Sequence, residues 1–494
     1  MFSMYKSIQY FNEECAKKFD LLEDEFIRDP SNLANYIYRL TEELHRLGIH
    51  MIQETLEDMD KMLNDSVIRK KKWIVDRHEK KQLITSLGTV NFKKTLFKER
   101  ESGKREYLLD CLIQMDSHER MTEDAVAKIL KEAVQTSYRR VGEAVNDLDN
   151  VTKQTVMNKI HKLKFPKETK VIGSKKYVKK LYIDADEDHL SLQYQEKKGD
   201  LISGHYGRKN NSIIAKMVYV YEGIEYISEG NRRHRLINPH YFCSTSDGKD
   251  NQTFWKEIFE WIDNHYDLGR VEKIYLNGDG GTWIKAGKDF VDGVITTMDE
   301  FHLQKYLSMM TLHLKDSQQD AIRELRENIR SKGKKEFKKY CAYLKSYLEI
   351  TNEYGHKRIE KGEKYFLDNW MEAKVRLCYR KSLPGCSAEG HVSHVLSSRM
   401  SSRPLGWSRK GAAKMCQLRA YVYNNGDMLE LVKMQRQEMP QAVGEQWNYY
   451  SPTEVMRSEK NRHEMLGKYM QSMSGTINNV VKKYIRFNMQ IADL

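Results

Sequence analysis

Three aspartates, Asp184, Asp186 and Asp188, recur at every second position of an apolar, β-rich run, KKLYIDADEDHLSLQY, at residues 179–194. In an extended strand successive side chains alternate between faces, so the three carboxylates share one side. Carboxylates crowded on one face repel each other, and a divalent cation is the usual partner that offsets them. Two later acids have settings suited to joining them. Asp279 ends the apolar run of KIYLNGDGGTW, and Glu389 lies in GCSAEGHVSHVL. An acid on a first strand, one on a fourth strand and one on a later helix can converge at one edge of a sheet. Mg²⁺ prefers oxygen ligands and retains waters, so such carboxylates with a phosphate oxygen would complete its shell. Two such ions about 3.5–4 Å apart support in-line phosphoryl transfer without a covalent nucleophile. Singly, each acid reads as a helix cap, a strand tip or an arginine partner. The ordered set Asp186, Asp279 and Glu389 favours a metal site, with Asp184 competing for the first position.

Two histidine settings accompany the acids. His302, in DEFHLQKYL, ends a fifth strand near the expected site. There it would contact a scissile phosphate or orient a carboxylate, and a purely structural role is equally compatible. His391 and His394 flank Glu389 without the H-E-x-x-H spacing of a zinc helix, so zinc is poorly supported.

The elements that must position these residues follow from periodicity. Residues 1–66 read as helix, with Leu33, Ile37, Leu40, Leu44 and Leu47 at helical spacing. This is a packing or dimerisation helix. Residues 67–120 read as a small β-ribbon whose Lys93, Lys94, Lys98, Arg100, Lys104 and Arg105 would line a phosphate backbone or a solvated face. Residues 121–170 have helix-turn-helix logic, a helix over about 136–148, a turn at Asp149-Asn150 and a second helix capped by Thr152. Val151, Val156, Ile160 and Leu163 would face inward. Lys153, Gln154, Thr155, Asn158, Lys159 and Lys162 would face out, a polar surface suited to a DNA major groove but common elsewhere. Residues 179–304 read as three strands in meander, then helix, strand, short helix and strand, with a turn around Gly199, Gly204 and Gly207. The GDGG after the fourth strand does not match a dinucleotide-binding loop. Residues 305–383 form a charged helical unit in which Tyr340, Tyr343 and Tyr347 suit either a strand-binding surface or a core. Residues 384–425 return with a helix that Ser387 can cap. Residues 426–494 form a helical tail.

Bulk properties bound the class. The chain has 494 residues, a net charge of +13 and seven dispersed cysteines with no C-x-x-C pair. Its pI is about 9.0 and its mean hydropathy −0.73. That length implies several domains. The charge suits a polyanionic partner, most simply nucleic acid. No apolar run is long enough to span a bilayer, and the start lacks the apolar stretch of a signal peptide.

The segments IDADEDHLSLQ, YLNGDGGTWIKAG, DEFHLQKYL and CSAEGHVSHVLSSRMSSRPLGWS resemble the ISLre2 family of bacterial insertion-sequence transposases, over most of the chain. The resemblance implies a multidomain α/β protein, with an RNase H-like catalytic domain interrupted by a helical insertion and preceded by a mainly helical DNA-binding region with a β-ribbon. It implies a DDE-type transposase with Asp186, Asp279 and Glu389 as the triad and His302 at the family's histidine position. Its cofactor would be Mg²⁺ or Mn²⁺, in two ions. Its partners would be double-stranded DNA, as terminal inverted repeats and target, and further copies of itself in a synaptic complex. Arg399, Arg403 and Arg409 become candidates for phosphate contacts, and the location expected is the bacterial cytoplasm, associated with the nucleoid. The rival expectations are a DNA-binding protein without catalysis and an RNase H-like nuclease without strand transfer.

Overall fold

The computed structural model describes residues 6–437, apart from 117, 146–149, 167–173, 194–201, 204–208, 229–233, 246–249, 291–292, 350, 381–382, 385–386 and 404–405. The expected turn at Gly199, Gly204 and Gly207, Asp149 of the helix-turn-helix, and the tail beyond 437 lie outside the described residues. The chain divides into two compact units, one built on residues up to Ala125 and one on Val126–Val145 and Asn150–Gln435.

In the first unit, α1 (Ala16–Arg28) precedes the 33-residue α2 (Leu33–Asp65). At 1.5 Å per residue α2 is about 50 Å long. Strands β1 (Trp73–Ile84) and β2 (Thr89–Glu99) form an antiparallel hairpin, and β3 (Arg105–Glu106) pairs with the outer edge of β2. Leu56 and Leu63 of α2 pack with Trp73, Leu83, Val90, Phe92 and Phe97 of the hairpin. Lys94 points into this core. It pairs there with Asp110, which Lys81 also contacts, and its ammonium lies 3.5 Å from the centroid of the Tyr107 ring. Lys94 is therefore removed from any phosphate-binding face of the ribbon. Leu33, Ile37, Leu44 and Met51, a second stripe of α2, are 44–53% exposed.

The second unit is organised by a mixed five-stranded sheet. Its strands are β4 (Lys180–Ser191), β5 (Ser212–Tyr221), β6 (His240–Ser244), β7 (Lys273–Gly278) and β8 (Val294–Met298), in spatial order β6-β5-β4-β7-β8. The first three are antiparallel neighbours, and β7 and β8 run parallel to β4. The expected third strand is split, with His234–Ile237 pairing in a separate hairpin and only β6 joining the sheet. Odd positions of β4, Leu181, Ile183 and Ala185, face a core completed by Trp255, Ile258 and Ile262 of α6 (Asp250–His265). Each fully buried Leu or Ile there contributes about 1.5–3 kcal/mol. Even positions face the other way, onto a layer of stacked tyrosines: Tyr182 lies 5.3 Å from Tyr221 and 5.6 Å from Tyr275, and Tyr219 lies 5.6 Å from both Tyr221 and Tyr241.

The expected fifth strand is shorter than its apolar run. It stops at Met298, and Asp299 caps the next helix by accepting from the His302 backbone N–H at 2.7 Å. His302 therefore sits in the first turn of α7 (Glu300–Thr311), not on a strand. This helix opens an all-helical unit with α8 (Gln318–Glu327), α9 (Lys334–Ser346), α10 (Glu353–Asp368) and α11 (Trp370–Cys378), closed around Leu307, Met310, Leu325, Phe337 and Phe366.

The helix pair preceding the sheet belongs to the same unit. Its first member, α4 (Tyr138–Glu143), follows α3 (Glu123–Ala133) and is shorter than the 136–148 expected. Its second, α5 (Lys153–Lys162), is capped by Thr152 as the sequence suggested. A Cβ on Gly142 would lie 1.8 Å from the Val151 carbonyl oxygen, so only glycine permits this close approach. Val151, Val156, Ile160 and Leu163 are buried.

Candidate functional site

The parallel edge of the sheet brings the acids together through register. Asn277 of β7 pairs with Asp184 of β4, so two residues further on Asp279 comes level with Asp186. Met298 of β8 pairs with Gly278, so the next residue, Asp299, comes level with Asp279. Three aspartates thus stand abreast on neighbouring parallel strands, Asp279 and Asp299 just past the ends of β7 and β8 and Asp186 in the middle of β4, which continues to Ser191. Asp279 and Asp299 are both within electrostatic reach of Asp186. Burial pushes the Asp186 carboxyl up to about 7, and the neighbouring Asp279 and Asp299 push the same way against a Glu187 N–H donated at 2.8 Å.

Loop chemistry fixes the other members. Asp279 Oδ1 accepts the Gly281 N–H at 2.8 Å, which folds the GDGG turn back on its own carboxylate. Gly280 holds φ +89°, and a Cβ there would lie 2.2 Å from Asn369 Oδ1, so the turn demands glycine twice over. Tyr365 of α10 donates to the Asp279 carbonyl at 2.6 Å, which ties the helical unit to this strand end. Burial, with Asp299 and Asp279 nearby, pushes the Tyr365 phenol up and keeps it neutral. His302 Nδ1 lies 2.8 Å from Asp299 Oδ2, and this hydrogen bond raises the imidazole's affinity for a proton against the opposing effect of burial.

The other two aspartates of β4 are engaged elsewhere. Asp184 is fully buried and accepts from Tyr219 Oη at 2.8 Å, from Tyr221 Oη at 3.4 Å and from the Asn277 amide. Asn277 passes the interaction on, since Arg376 Nη2 donates to its Oδ1 at 3.1 Å. Arg376, itself buried, also donates to the Met298 and Pro384 carbonyls. Asp184 is thus the accepting end of a buried network that locks β4, β7 and the helical unit, and its oxygens face protein donors. That contradicts the metal-ligand role expected for it. Asp188 accepts the Ser397 and Ser401 hydroxyls at 2.9 and 2.6 Å, pinning the segment that follows Glu389.

Glu389 lies in the first turn of α12 (Ala388–Val392), as expected. Ser387 does not cap that helix. Its hydroxyl meets Tyr219 Oη at 3.2 Å instead. His391 stacks on Tyr219 and hydrogen-bonds Tyr241 Oη at 2.9 Å, and burial favours its neutral form, so it has a packing role. The Glu389 side chain is exposed. Among the described residues, no three His, Cys, Asp or Glu side chains are grouped so as to hold a metal ion.

The candidate DNA-contacting residues divide. Lys153, Gln154, Asn158 and Lys162 are exposed on α5, and Thr155 and Lys159 are half-buried there. Arg403 and Arg409 are exposed. Arg399 is buried: its Nε donates to the Ala133 carbonyl at 2.8 Å and its guanidinium lies over Trp407. With Arg419, which donates to the Val134 carbonyl at 2.7 Å, it satisfies the orphan carbonyls at the end of α3. The phosphate contact expected of Arg399 is therefore replaced by a structural one. Sequence reasoning missed Asp299 altogether. The available signal was Asp299 three residues before His302, an N-cap spacing hidden inside an apolar run.

Among the described residues no helix is long and apolar enough to cross a membrane. Comparison with known proteins places the chain among relatives without an assigned role. Residues 28–438 match an uncharacterised protein family, UPF0236. A UPF0236 protein of Caldanaerobacter subterraneus subsp. tengcongensis is 32% identical over 410 residues, covering 83% of this chain and 81% of that one, and its name joins eleven loci. Another from that organism is 32% identical over 422 residues, covering 85% and 84%. Among solved structures, the Drosophila P element transposase strand transfer complex aligns over 67% of this chain and 84% of that chain, at 10% identity and a TM-score of 0.21. At that score the likeness carries no argument. The chain belongs to the UPF0236 family.

Proposed function

We propose that this chain is a DDE-type transposase whose mixed sheet is an RNase H-like catalytic core. The observation that carries the reading is the row Asp186, Asp279 and Asp299, abreast on three neighbouring parallel strands, with the Asp186 carboxyl pushed up to about 7. A carboxylate that is costly to ionise beside two others fits a cation binder, and the donors are all hard oxygens. Asp186 and Asp279, with Glu389 contributed from α12, are the residues that would hold Mg²⁺ or Mn²⁺. Asp299 is an addition to that set. When bound, such ions lower the pKa of water and stabilise the charge developing in phosphoryl transfer. His302, whose affinity for a proton is raised by its hydrogen bond to Asp299, would donate to a non-bridging phosphate oxygen. Lys153, Gln154, Asn158 and Lys162 of α5 face duplex DNA, and Arg403 and Arg409 contact its phosphates. A relative's name that joins eleven loci of one organism supports a gene that copies itself. The exposed stripe of α2 supports self-association.

A second reading, a DNA-binding protein without catalysis, is favoured by two observations: Glu389 is exposed, and among the described residues no three His, Cys, Asp or Glu side chains, those of the acidic row included, are grouped so as to hold a metal ion. The two separate in a cleavage assay on DNA carrying the element's ends. Transposase activity requires Mg²⁺- or Mn²⁺-dependent nicking that Asp279→Asn abolishes. Tight binding of the ends with no cutting under any divalent ion leaves only the second reading.

A further inference from the structure

A groove of about 860 Å³ runs between α7 and α10, apart from the acidic row. The two helices lie antiparallel: Tyr306 stacks on Tyr365 at 3.7 Å, and Met310 fills the space over Gly362. The groove begins at Phe301, whose ring meets that of His302 edge-on at 5.2 Å, and extends along α7 to Leu312. The ten residues from His302 to Leu312 carry it about 15 Å away from that imidazole. Two aromatic rings are left facing water along this path: Phe301 is 48% and Tyr354 72% exposed. Cations alternate with them. Lys305 lies 5.6 Å from the Phe301 centroid, Arg358 lies 4.7 Å from that of Tyr354, and Lys361 lines the same wall. No ion pair is formed by Lys305, Arg358 or Lys361 among the described residues, whereas Lys357 is offset by Glu353.

We infer that this groove binds a single nucleic-acid strand that enters or leaves the acidic site. An apolar floor with exposed ring faces suits unpaired bases, because every base has a π-face to stack, and interleaved cations suit the phosphates between them. Duplex DNA buries its base faces and would use only the cations. An acidic polypeptide would likewise use the cations and leave both rings in water. The inference rests on the proposed nucleic-acid function but not on catalysis.

The test is fluorescence anisotropy of the full chain with a labelled single-stranded oligonucleotide of about 20 nucleotides. It is run in a metal chelator so that no cutting occurs, with the matching duplex and poly-glutamate as comparisons. Phe301→Ala and Tyr354→Ala should each weaken single-strand binding roughly tenfold, leaving the salt slope and duplex binding unchanged. Lys305→Ala and Lys361→Ala should each lower the single-strand salt slope by about 0.7. Photo-crosslinking of an oligonucleotide with a halogenated base should map to peptides spanning 300–312 and 353–361. All four side chains are at the surface, so melting temperatures should not move. Equal losses for single strand and duplex overturn the inference. So do competition by poly-glutamate as strong as by DNA, and crosslinks confined to other segments. If groove-dependent single-strand binding persists in a protein that never cuts DNA, the groove stands and the transposase reading falls.

Discussion

Asp186→Asn should stabilise the metal-free protein, by an amount that grows with pH. In the folded chain Asp186 titrates near 7, while an unfolded aspartate titrates near 3.9. A raised folded pKa means that the native state binds the proton more tightly. Its contribution is fully present below about pH 4 and is lost as pH rises through 7. Linkage gives a cost to the wild type of about 1.5 kcal/mol at pH 5 and about 4 kcal/mol at pH 8. Asparagine has nearly the same shape and no charge, so it avoids this cost. For a folding unit of roughly 300 residues, about 4 kcal/mol corresponds to a melting shift of about 6 °C. The assay is differential scanning calorimetry of both proteins from pH 5 to pH 8 in a chelator, repeated with Mn²⁺. The variant should melt higher at pH 8, its advantage should shrink by more than half at pH 5, and Mn²⁺ should raise the wild type far more than the variant. A pH-independent difference, or equal stabilisation of both by Mn²⁺, would refute the reasoning.

Other outcomes follow from single contacts. Arg399→Ala should destabilise the chain by about 3 kcal/mol by stranding the end of α3, leaving the salt slope of DNA binding intact. Arg403→Ala and Arg409→Ala should do the reverse, each lowering the duplex slope by about 0.9 without moving the melting temperature. Gly280→Ala forces a Cβ onto Asn369 at a positive φ, and should cost about 2 kcal/mol or more and displace Asp279, read as lost stability and weakened Mn²⁺ binding. Leu44→Glu should shift sedimentation toward the monomer if the stripe of α2 holds a second copy, while thermal stability stays within about 0.5 kcal/mol because the side chain is exposed.

How far the site was legible in the sequence depends on how local its causes are. The alternation in β4, the cap at Thr152 and the first-turn place of Glu389 depend on spacing within a few residues, and spacing alone located them. Choosing among Asp184, Asp186 and Asp188 did not. They share a face, and what separates them is the company each keeps: tyrosines from β5 and an asparagine from β7 for Asp184, and serines beyond Glu389 for Asp188. Asp299 and His302 were read as strand because an apolar run of that length fits either a strand or a buried helix start. Arg399 looked like a surface cation because the carbonyl it serves lies 266 residues away. Lys94 could have been rescued by period two, since it shares the inward face of β2 with Val90 and Phe92.

As proposed, Asp186, Asp279 and Glu389 perform metal-dependent chemistry on DNA. The most direct test is cleavage and strand joining on DNA bearing the element's ends, with Mg²⁺ or Mn²⁺, comparing the wild type with Asp186→Asn, Asp279→Asn, Asp299→Asn and Glu389→Gln, each shown to be folded and able to bind the DNA. The wild type should cut and join, and the Asp186, Asp279 and Glu389 variants should lose at least a hundredfold, on the scale of about 3 kcal/mol of lost transition-state stabilisation. Cutting by Asp279→Asn at the wild-type rate would contradict the proposal.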